Sequence, residues 1–316
     1  MRRRFLTVLV AAALLLAGAE AVARFHLGLG DPPLMVRDPE IEYLFAPSRS
    51  YHRFGNRVSY NAYSMRSDEF PRERTSDDEV RILVLGDSVV NGGGLTDQDE
   101  LATAILQRRL REAYGVHAVV GNISARSWGP ANLLAYVRRF GWFHADIAFI
   151  VLSSHDHADV PTFAEDLGPN FPEAPPVLAL EEAVIRYLPR YLPSLRSAGT
   201  AASAPGDEQD SARGARYLRE LLTRAKAAVP HAVLLLHPTR QELAHGTLPD
   251  GEEILRIAGD LNVPTMIVAR AMTGETGVYY WDEIHISAAG QQLYGELLLC
   301  ETLATLELPV DNPCTS

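Results

Sequence analysis

The stretch RILVLGDSVVNGGG, residues 81–94, opens the regular part of the chain and indicates its class of fold. An apolar run ends at Gly86, and Asp87 and Ser88 come directly after it. Such a run is typical of a strand that is buried on both faces of a parallel sheet. Ser88 is then a nucleophile at a strand end, a cap of the next helix, or part of a phosphate-binding loop.

The glycines after Ser88 do not fit the known phosphate-binding loops. Those loops have the spacing GxxxxGK[ST] or GxGxxG at the turn. Here the three glycines at 92–94 come too late, and no lysine follows them. The α/β-hydrolase pattern GxSxG is also absent, because Val90 stands where its second glycine belongs. A strand-end nucleophile and a helix cap remain as the two interpretations of Ser88.

Short apolar runs alternate with helix-like segments through the rest of the chain. The apolar runs lie at 81–85, 117–120, 147–153, 232–236 and 264–269. The helix-like segments lie at 98–114, 130–141, 212–228, 251–261 and 287–306. This alternation predicts an α/β fold, with a doubly wound parallel sheet of about five strands flanked by helices.

The alternation also suggests how the chain is divided. We expect one α/β domain over 80–309, which a proline-rich and then small-residue loop insertion interrupts at 161–211. Residues 28–79 show little periodicity and are predicted to be a mostly irregular lead-in packed on that domain. Residues 310–316 are predicted to be a C-terminal tail.

The N-terminal segment, residues 1–27, is predicted to be a signal peptide or a membrane anchor. Three arginines precede an apolar stretch from Phe5 to Ala19, an order that directs the rest of the chain across the membrane. The small residues Ala17, Ala19 and Ala21 provide candidate cleavage sites, whereas the uncleaved stretch is barely long enough to span a bilayer. Either way, the domain is expected at the inner membrane facing the periplasm, or secreted to the periplasm.

Charge and cysteine content restrict the partners and the compartment. The net charge of −11 disfavours binding to a phosphate backbone, so no nucleic-acid partner is expected. The two cysteines, Cys300 and Cys314, can pair in an oxidising compartment and attach the tail to the last helix. The alternative is a buried free Cys300 and an unpaired Cys314.

A second polar motif precedes the last predicted helix, in the stretch WDEIHISAAG at 281–290. A serine nucleophile needs a base, and the base needs a group that orients it. Asp282 and His285 are three residues apart, so both side chains can lie on one side of a turn. The carboxylate can then fix the tautomer of the imidazole.

With these motifs the chain resembles the SGNH, or GDSL-type, hydrolases of flavodoxin-like fold. The resemblance covers roughly 80–306 and is carried by VLGDS, which contains Ser88, and by DEIHISAAG. It implies that Ser88 is the nucleophile, His285 the general base and Asp282 its orienting partner. The stretch NAYSMRSDEF, 61–70, is similar to the lead-in of envelope-associated members.

The resemblance also implies an oxyanion hole, and here the chain departs from the family pattern. The backbone amide of Ser88 is one expected donor. The second family block supplies a glycine amide, and its counterpart in 122–129 is assigned to Ser127, with Arg126 as the alternative. The third block supplies an asparagine, and the stretch SSHDHAD at 153–159 offers His155 instead. We expect its ring N–H to face the oxyanion while Asp156 turns away.

The resemblance implies a serine esterase that hydrolyses or transfers O-acyl groups, in particular O-acetyl groups, of envelope or exopolysaccharide sugars, without a metal or organic cofactor. Trp281, beside the second motif, either packs in the core or stacks on a sugar. Two alternatives remain open. One is a catalytically inactive SGNH-like carbohydrate-binding module. The other is a metal-dependent hydrolase, whose ligands come from the cluster His155, Asp156, His157 and Asp159.

Overall fold

The computed structural model describes residues 2–165, 167–191, 208–309 and 314. The predicted irregular lead-in contains two antiparallel hairpins, which the sequence analysis missed. Their strands are β1 (Met35–Asp38) with β2 (Glu42–Phe45), and β3 (Arg49–Arg53) with β4 (Asn56–Tyr60). The strands have only four or five residues, and all four residues of β2 are buried, so no alternation marks them in the sequence.

The predicted sheet is present, with five parallel strands. These are β5 (Val80–Gly86), β6 (Ala118–Ser124), β7 (Ile147–Ser153), β8 (His231–His237) and β9 (Thr265–Ile267). Their spatial order is β6-β5-β7-β8-β9. The chain starts at β5, moves outward to β6 and then returns past β5 to β7, which is the doubly wound, flavodoxin-like order. The predicted fold class is confirmed.

Ten α-helices lie in the described part of the chain. They are α1 (Arg2–Ala21), α2 (Ser88–Asn91), α3 (Ala102–Tyr114), α4 (Pro130–Phe140), α5 (Ala179–Glu182), α6 (Leu188–Tyr191), α7 (Glu208–Ala228), α8 (Arg240–His245), α9 (Pro249–Asp260) and α10 (Ala288–Thr305). The five predicted helices correspond to α3, α4, α7, α9 and α10. The described part of the predicted insertion includes α5 and α6, and residues 192–207 lie outside the described part.

The strands bury side chains on both faces of the sheet. Along β5, Leu83 and Leu85 face a core formed with α4, α7, α9 and both hairpins. Ile82 and Val84 face the opposite core, formed with α3 and α10. Because both faces are covered, every position from residue 81 to residue 86 is buried, and the continuous apolar run of this strand follows from that burial.

The two ends of the chain differ in their packing. No residue of α1 is buried, and 2–26 is the only segment of the described residues that is long and apolar enough to cross a membrane. At the other end, Cys300 of α10 forms a disulfide with Cys314, which confirms the predicted pairing. The rest of the predicted tail, 310–313 and 315–316, lies outside the described residues.

Candidate active site

Ser88 lies at the carboxyl edge of the sheet, where β5 ends and α2 begins. The close packing at this point requires glycine, because a Cβ on Gly86 would lie 2.5 Å from Cγ2 of Val90. Asp87 caps α2, and its Oδ1 accepts a hydrogen bond of 2.8 Å from the amide of Val89. Ser88 is the first residue of the helix, so its own N–H has no partner within the helix.

The structure brings Ser88, His285 and Asp282 together, although Ser88 and His285 are 197 positions apart in the chain. Oγ of Ser88 lies 2.9 Å from Nε2 of His285. Nδ1 of the same ring lies 2.8 Å from Oδ2 of Asp282. Burial by itself would raise the pKa of the Asp282 carboxyl. Hydrogen bonds from the His285 ring and from the amides of Ile284 and His285 outweigh this effect and lower that pKa.

A buried histidine holds the loop that carries this pair. Nε2 of His237, at the end of β8, lies 2.8 Å from the carbonyl oxygen of Ile284, and its Nδ1 contacts the hydroxyl of Tyr294. Burial lowers the pKa of His237 to about 4, so the ring is neutral. With one hydrogen on the ring, Nε2–H donates to Ile284 and Nδ1 accepts from Tyr294. His237 was not among the site residues predicted from the sequence, because only the fold brings it there.

His155 follows β7 and lies beside the carboxylate that precedes Ser88. Its Nε2 lies 3.7 Å from Oδ2 of Asp87 and 3.1 Å from Oδ1 of Asp156. Asp156 was expected to turn away while the His155 ring faces the oxyanion, and in the structure its carboxylate contacts that ring. Segment 154–157 is a short 3-10 helix, and its N-cap, Ser153, donates a backbone hydrogen bond of 2.7 Å to Oδ2 of Asp156, which turns the carboxylate inward.

The neighbouring carboxylates determine the charge of His155. The Asp156 carboxylate, followed by Asp87 and Asp159, raises the pKa of His155 to about 10, although burial opposes this change. The imidazolium is consequently the form present at neutral pH. Nε2–H faces the carboxylates, and Nδ1–H is a second donor on a side chain that is 46% exposed.

The metal ligands predicted from sequence do not come together as one set. Asp87, His155 and Asp156 each place a ligand atom within 4.8 Å of the other two, so these three residues form the group that could hold a cation. His157 points elsewhere, with Nδ1 3.7 Å from Asp250, and is not in the group. Asp159 is not in the group either. Asp87 was missed as a ligand because it lies 68 residues before His155 in the chain.

The third predicted oxyanion residue, Ser127, lies in the loop after β6, the strand next to β5. It is exposed, and its φ of 49° is in the left-handed region. Parallel strands end at the same edge of a sheet, so this loop belongs to the edge that carries Ser88. The structure records no contact between Ser127 and Ser88.

The lead-in supports the loop that comes after the nucleophile. Arg66, from the stretch NAYSMRSDEF, is fully buried. Its guanidinium donates to the carbonyl oxygens of Asn91 and Gly93, and at 2.7 Å to that of Thr96. A planar group with five donors can hold three carbonyls at once. The residues directly after Ser88 are thereby fixed by a segment that precedes the sheet.

A doubly wound sheet that carries hydrogen-bonded serine, histidine and aspartate side chains at its carboxyl edge has the arrangement of a serine hydrolase. Residues 84–293 match the model of the GDSL-like lipase/acylhydrolase family, which is more than half of the chain. The chain belongs to this family and is an enzyme that hydrolyses ester bonds. The resemblance identified from VLGDS and DEIHISAAG is confirmed.

Several solved structures are similar to this chain at low sequence identity. An α/β hydrolase enzyme from the metagenome of Lake Arreo, Spain, is 15% identical over 75% of this chain and 96% of its own, with a TM-score of 0.47. An acetylxylan esterase from Geobacillus stearothermophilus is 14% identical over 74% and 96%, with a TM-score of 0.44. The psychrotrophic esterase of a Pseudoalteromonas species is 16% identical over 72% and 98%, with a TM-score of 0.43. No curated protein matches the chain in sequence.

Proposed function

We propose that the protein is a membrane-anchored serine esterase that faces the periplasm and acts on O-acyl groups, in particular O-acetyl groups, of envelope or exopolysaccharide sugars. The observation that carries the proposal is the hydrogen-bond chain from Oγ of Ser88 through His285 to Asp282. A serine hydroxyl is a weak nucleophile, and a base at 2.9 Å is placed to take its proton during attack.

In the proposed reaction, Oγ of Ser88 bonds to the ester carbonyl carbon while Nε2 of His285 takes the hydroxyl proton. Asp282 accepts from Nδ1–H and stabilises the imidazolium. The carbon–oxygen bond to the sugar then breaks, and His285 gives its proton to the leaving oxygen. Water, activated by the same histidine, removes the acyl group from Ser88. If a sugar hydroxyl replaces that water, the same acyl-enzyme makes the protein an O-acetyltransferase.

Three hydrogen-bond donors are assigned to stabilise the negative charge that develops on the carbonyl oxygen. The Ser88 amide is at the start of α2, where helical N–H groups are unpaired. Ser127 contributes its backbone amide from the neighbouring loop. His155 contributes Nδ1–H of its imidazolium, since Nε2–H faces the carboxylates of Asp87 and Asp156. A positively charged donor is stronger here than the neutral amide that it replaces.

The exposure of the site supports the proposal that the substrate is bulky and hydrophilic. The side chains of Asp282 and His285 are 57% and 39% exposed, so an acyl group attached to a large polymer can reach Ser88. Trp281, directly before Asp282, is also exposed. An exposed indole next to the aspartate of the hydrogen-bond chain offers an apolar face on which a sugar ring can pack. Of the two alternatives given for Trp281, packing in the core is not the arrangement in this structure.

A metal-dependent hydrolase is the second candidate, and Asp87, His155 and Asp156 are the observation that favours it. A phosphonate probe that needs only an activated serine separates the two. We expect the probe to label wild-type protein on Ser88, to fail on Ser88→Ala, and to label equally after chelation. Labelling of Ser76→Ala should match wild type, because Ser76 pairs with His117 away from the site. If chelation abolished both labelling and turnover, and a divalent cation restored them, the metal-dependent mechanism would be favoured.

To test the substrate class, the rate of acetate release from acetylated polysaccharide is compared with the rate of acetate release from small aryl esters. We expect the enzyme to turn over both kinds of substrate and to have the higher kcat/KM for the polysaccharide. A protein that accepts only long-chain acyl esters would contradict the assignment to sugar esters while leaving the serine mechanism intact.

A further inference from the structure

The end of the N-terminal helix is joined to the predicted insertion by side-chain hydrogen bonds. Oε1 of Glu20 accepts from the amide of Ala179 at 2.8 Å, and Oε2 accepts from the amide of Leu180 at 2.9 Å. These are the first N–H groups of α5, which have no partner within the helix. Arg24 lies one turn further on, pairs with Glu20 at 2.8 Å and donates at 3.0 Å to the carbonyl oxygen of Val177.

The same part of the insertion is fixed to the rest of the protein by a buried ion pair. Glu182 and Arg53, on β3, are 1% and 2% exposed and pair directly. Oε2 of Glu182 also accepts from the amide of Gly30 at 2.7 Å. Removing either partner would leave a buried charge uncompensated, so the contact is held strongly. The helix end, the insertion and the hairpin are therefore one connected unit.

Exposed apolar side chains gather around this junction. We call the following set the basal patch: Val22, Phe25, Val177, Leu178, Val184 and Ile185. Phe25 and Val177 are 84% and 85% exposed. Outside α1, half of the large hydrophobic side chains that are exposed in the described residues belong to this patch. Two segments about 150 residues apart in sequence meet here, through Arg24 and Val177. Clustered apolar exposure of this kind marks a contact surface.

The length of the apolar helix indicates what covers the patch. Segment 2–26 is long enough to cross a bilayer, but its uninterrupted apolar run from Phe5 to Ala19 spans only about 22 Å of a hydrocarbon core that is about 30 Å thick. The crossing therefore also takes in residues that follow Ala19. A short apolar span is accommodated by local thinning of the bilayer, which brings the residues that flank the span to the interface. The basal patch lies at this end of the helix, because hydrogen bonds tie Val177 to Arg24 and the backbone amides of Ala179 and Leu180 to Glu20. The net charge of the chain, −11, disfavours attraction of the domain to anionic lipid.

We propose that the basal patch rests in the lipid interface and that the N-terminal helix is retained as an uncleaved anchor, which holds the active-site domain in one orientation on the membrane. The inference rests on the membrane attachment proposed above, and it adds the contact surface and the fate of the helix. The two candidate cleavage sites, after Ala19 and after Ala21, lie on either side of Glu20. Cleavage at either would release Glu20 from the chain or from the helix that positions it.

The test uses the full chain in vesicles of phosphatidylethanolamine and phosphatidylglycerol, with and without brominated acyl chains. Ile185→Trp places a fluorophore in the basal patch, and Leu248→Trp is the matched control at an exposed residue directly before α9. The emission of wild-type protein is subtracted from both. We expect brominated lipid to quench the added fluorescence of Ile185→Trp at least several-fold more than that of Leu248→Trp. Val184→Trp provides a second patch variant if Ile185→Trp does not fold.

The outcomes separate this inference from the proposed function. Equal quenching of patch and control tryptophans in vesicle-bound protein would overturn the contact surface and leave the attachment standing. A mature protein whose intact mass lacks residues 1–19 or 1–21 would overturn the uncleaved anchor. Protein that does not enter vesicles at all would overturn both the inference and the proposed attachment, whereas the esterase assignment would still depend on Ser88 labelling.

Discussion

Nε2 of His155 lies 3.7 Å from Oδ2 of Asp87, the residue that directly precedes Ser88. This contact joins the end of β7 to the end of β5, so the imidazolium, the buried carboxylate and the nucleophile belong to one electrostatic unit. Burial by itself would raise the pKa of Asp87, but the charge of His155 and the hydrogen bond from the amide of Val89 help to lower it. The protonation of a residue at the end of β7 therefore affects the end of β5.

Replacing Ser88 or His285 by alanine should abolish ester hydrolysis, with a fall in kcat of about 10⁶ for either change. The double variant should be no worse than the single variants, because the hydrogen-bonded residues act as a unit. Steady-state kinetics on an aryl acetate measure this effect. Ser76→Ala and His245→Ala, both outside the site, are the controls and should retain wild-type kcat.

Asp282→Asn should lower kcat by about 10⁴ while KM and thermal stability change little. The amide has nearly the shape of the carboxylate, but it can donate to Nδ1 and so favours the wrong tautomer of His285. Parallel kinetics and thermal melts separate this electronic effect from unfolding. A fall in activity that follows a fall in Tm would assign Asp282 a structural role instead.

His155→Ala should lower kcat by about 100- to 1000-fold, which is the cost of removing one oxyanion donor. His155→Asn should recover a substantial part of that loss, since it restores an uncharged donor at the same strand end. KM should stay near the wild-type value for both, because the charge they stabilise develops only in the transition state. Wild-type turnover by His155→Ala would remove His155 from the oxyanion hole.

The charge of His155 should make stability depend on pH. Its pKa is raised in the folded protein from 6.5 to about 10, because the proton is held by Asp156, Asp87 and Asp159. The stabilisation is therefore complete below the unfolded value of about 6.5 and is lost as pH rises through about 10. The Tm difference between wild type and His155→Gln should be greatest near neutral or lower pH and should shrink towards pH ~10. A difference that stays constant would contradict a charged His155.

Removing the Cys300–Cys314 disulfide should destabilise the protein without affecting the chemistry. The two cysteines are 14 residues apart, and closing a loop of about 15 residues contributes roughly 3 kcal/mol in the chain-entropy model. Cys314→Ser should therefore lower Tm, while kcat at a permissive temperature remains unchanged. Reduction of wild-type protein should lower Tm by the same amount, and an unchanged melt on reduction would show that the bond contributes nothing.

The amino-acid sequence alone was sufficient to predict the sheet, the five long helices that flank it and the grouping of Ser88, Asp282 and His285. Strands buried on both faces must be continuously apolar, so local composition marks their positions. Ser88 follows such a run directly, and Asp282 and His285 are close enough in the chain to meet within one turn. Local patterns of this kind can be recognised in a sequence without knowledge of the fold.

Which other distant residues meet became apparent only from the folded chain. The turn of Asp156 towards His155 depends on a short 3-10 helix, and the contact with Asp87 depends on strand order. The burial of Arg66 under the Ser88 loop, and the capping of α5 by Glu20, join segments that no local pattern pairs. Such contacts depend on long-range packing and on the need of buried polar groups for partners, and a single sequence does not encode their pairing locally.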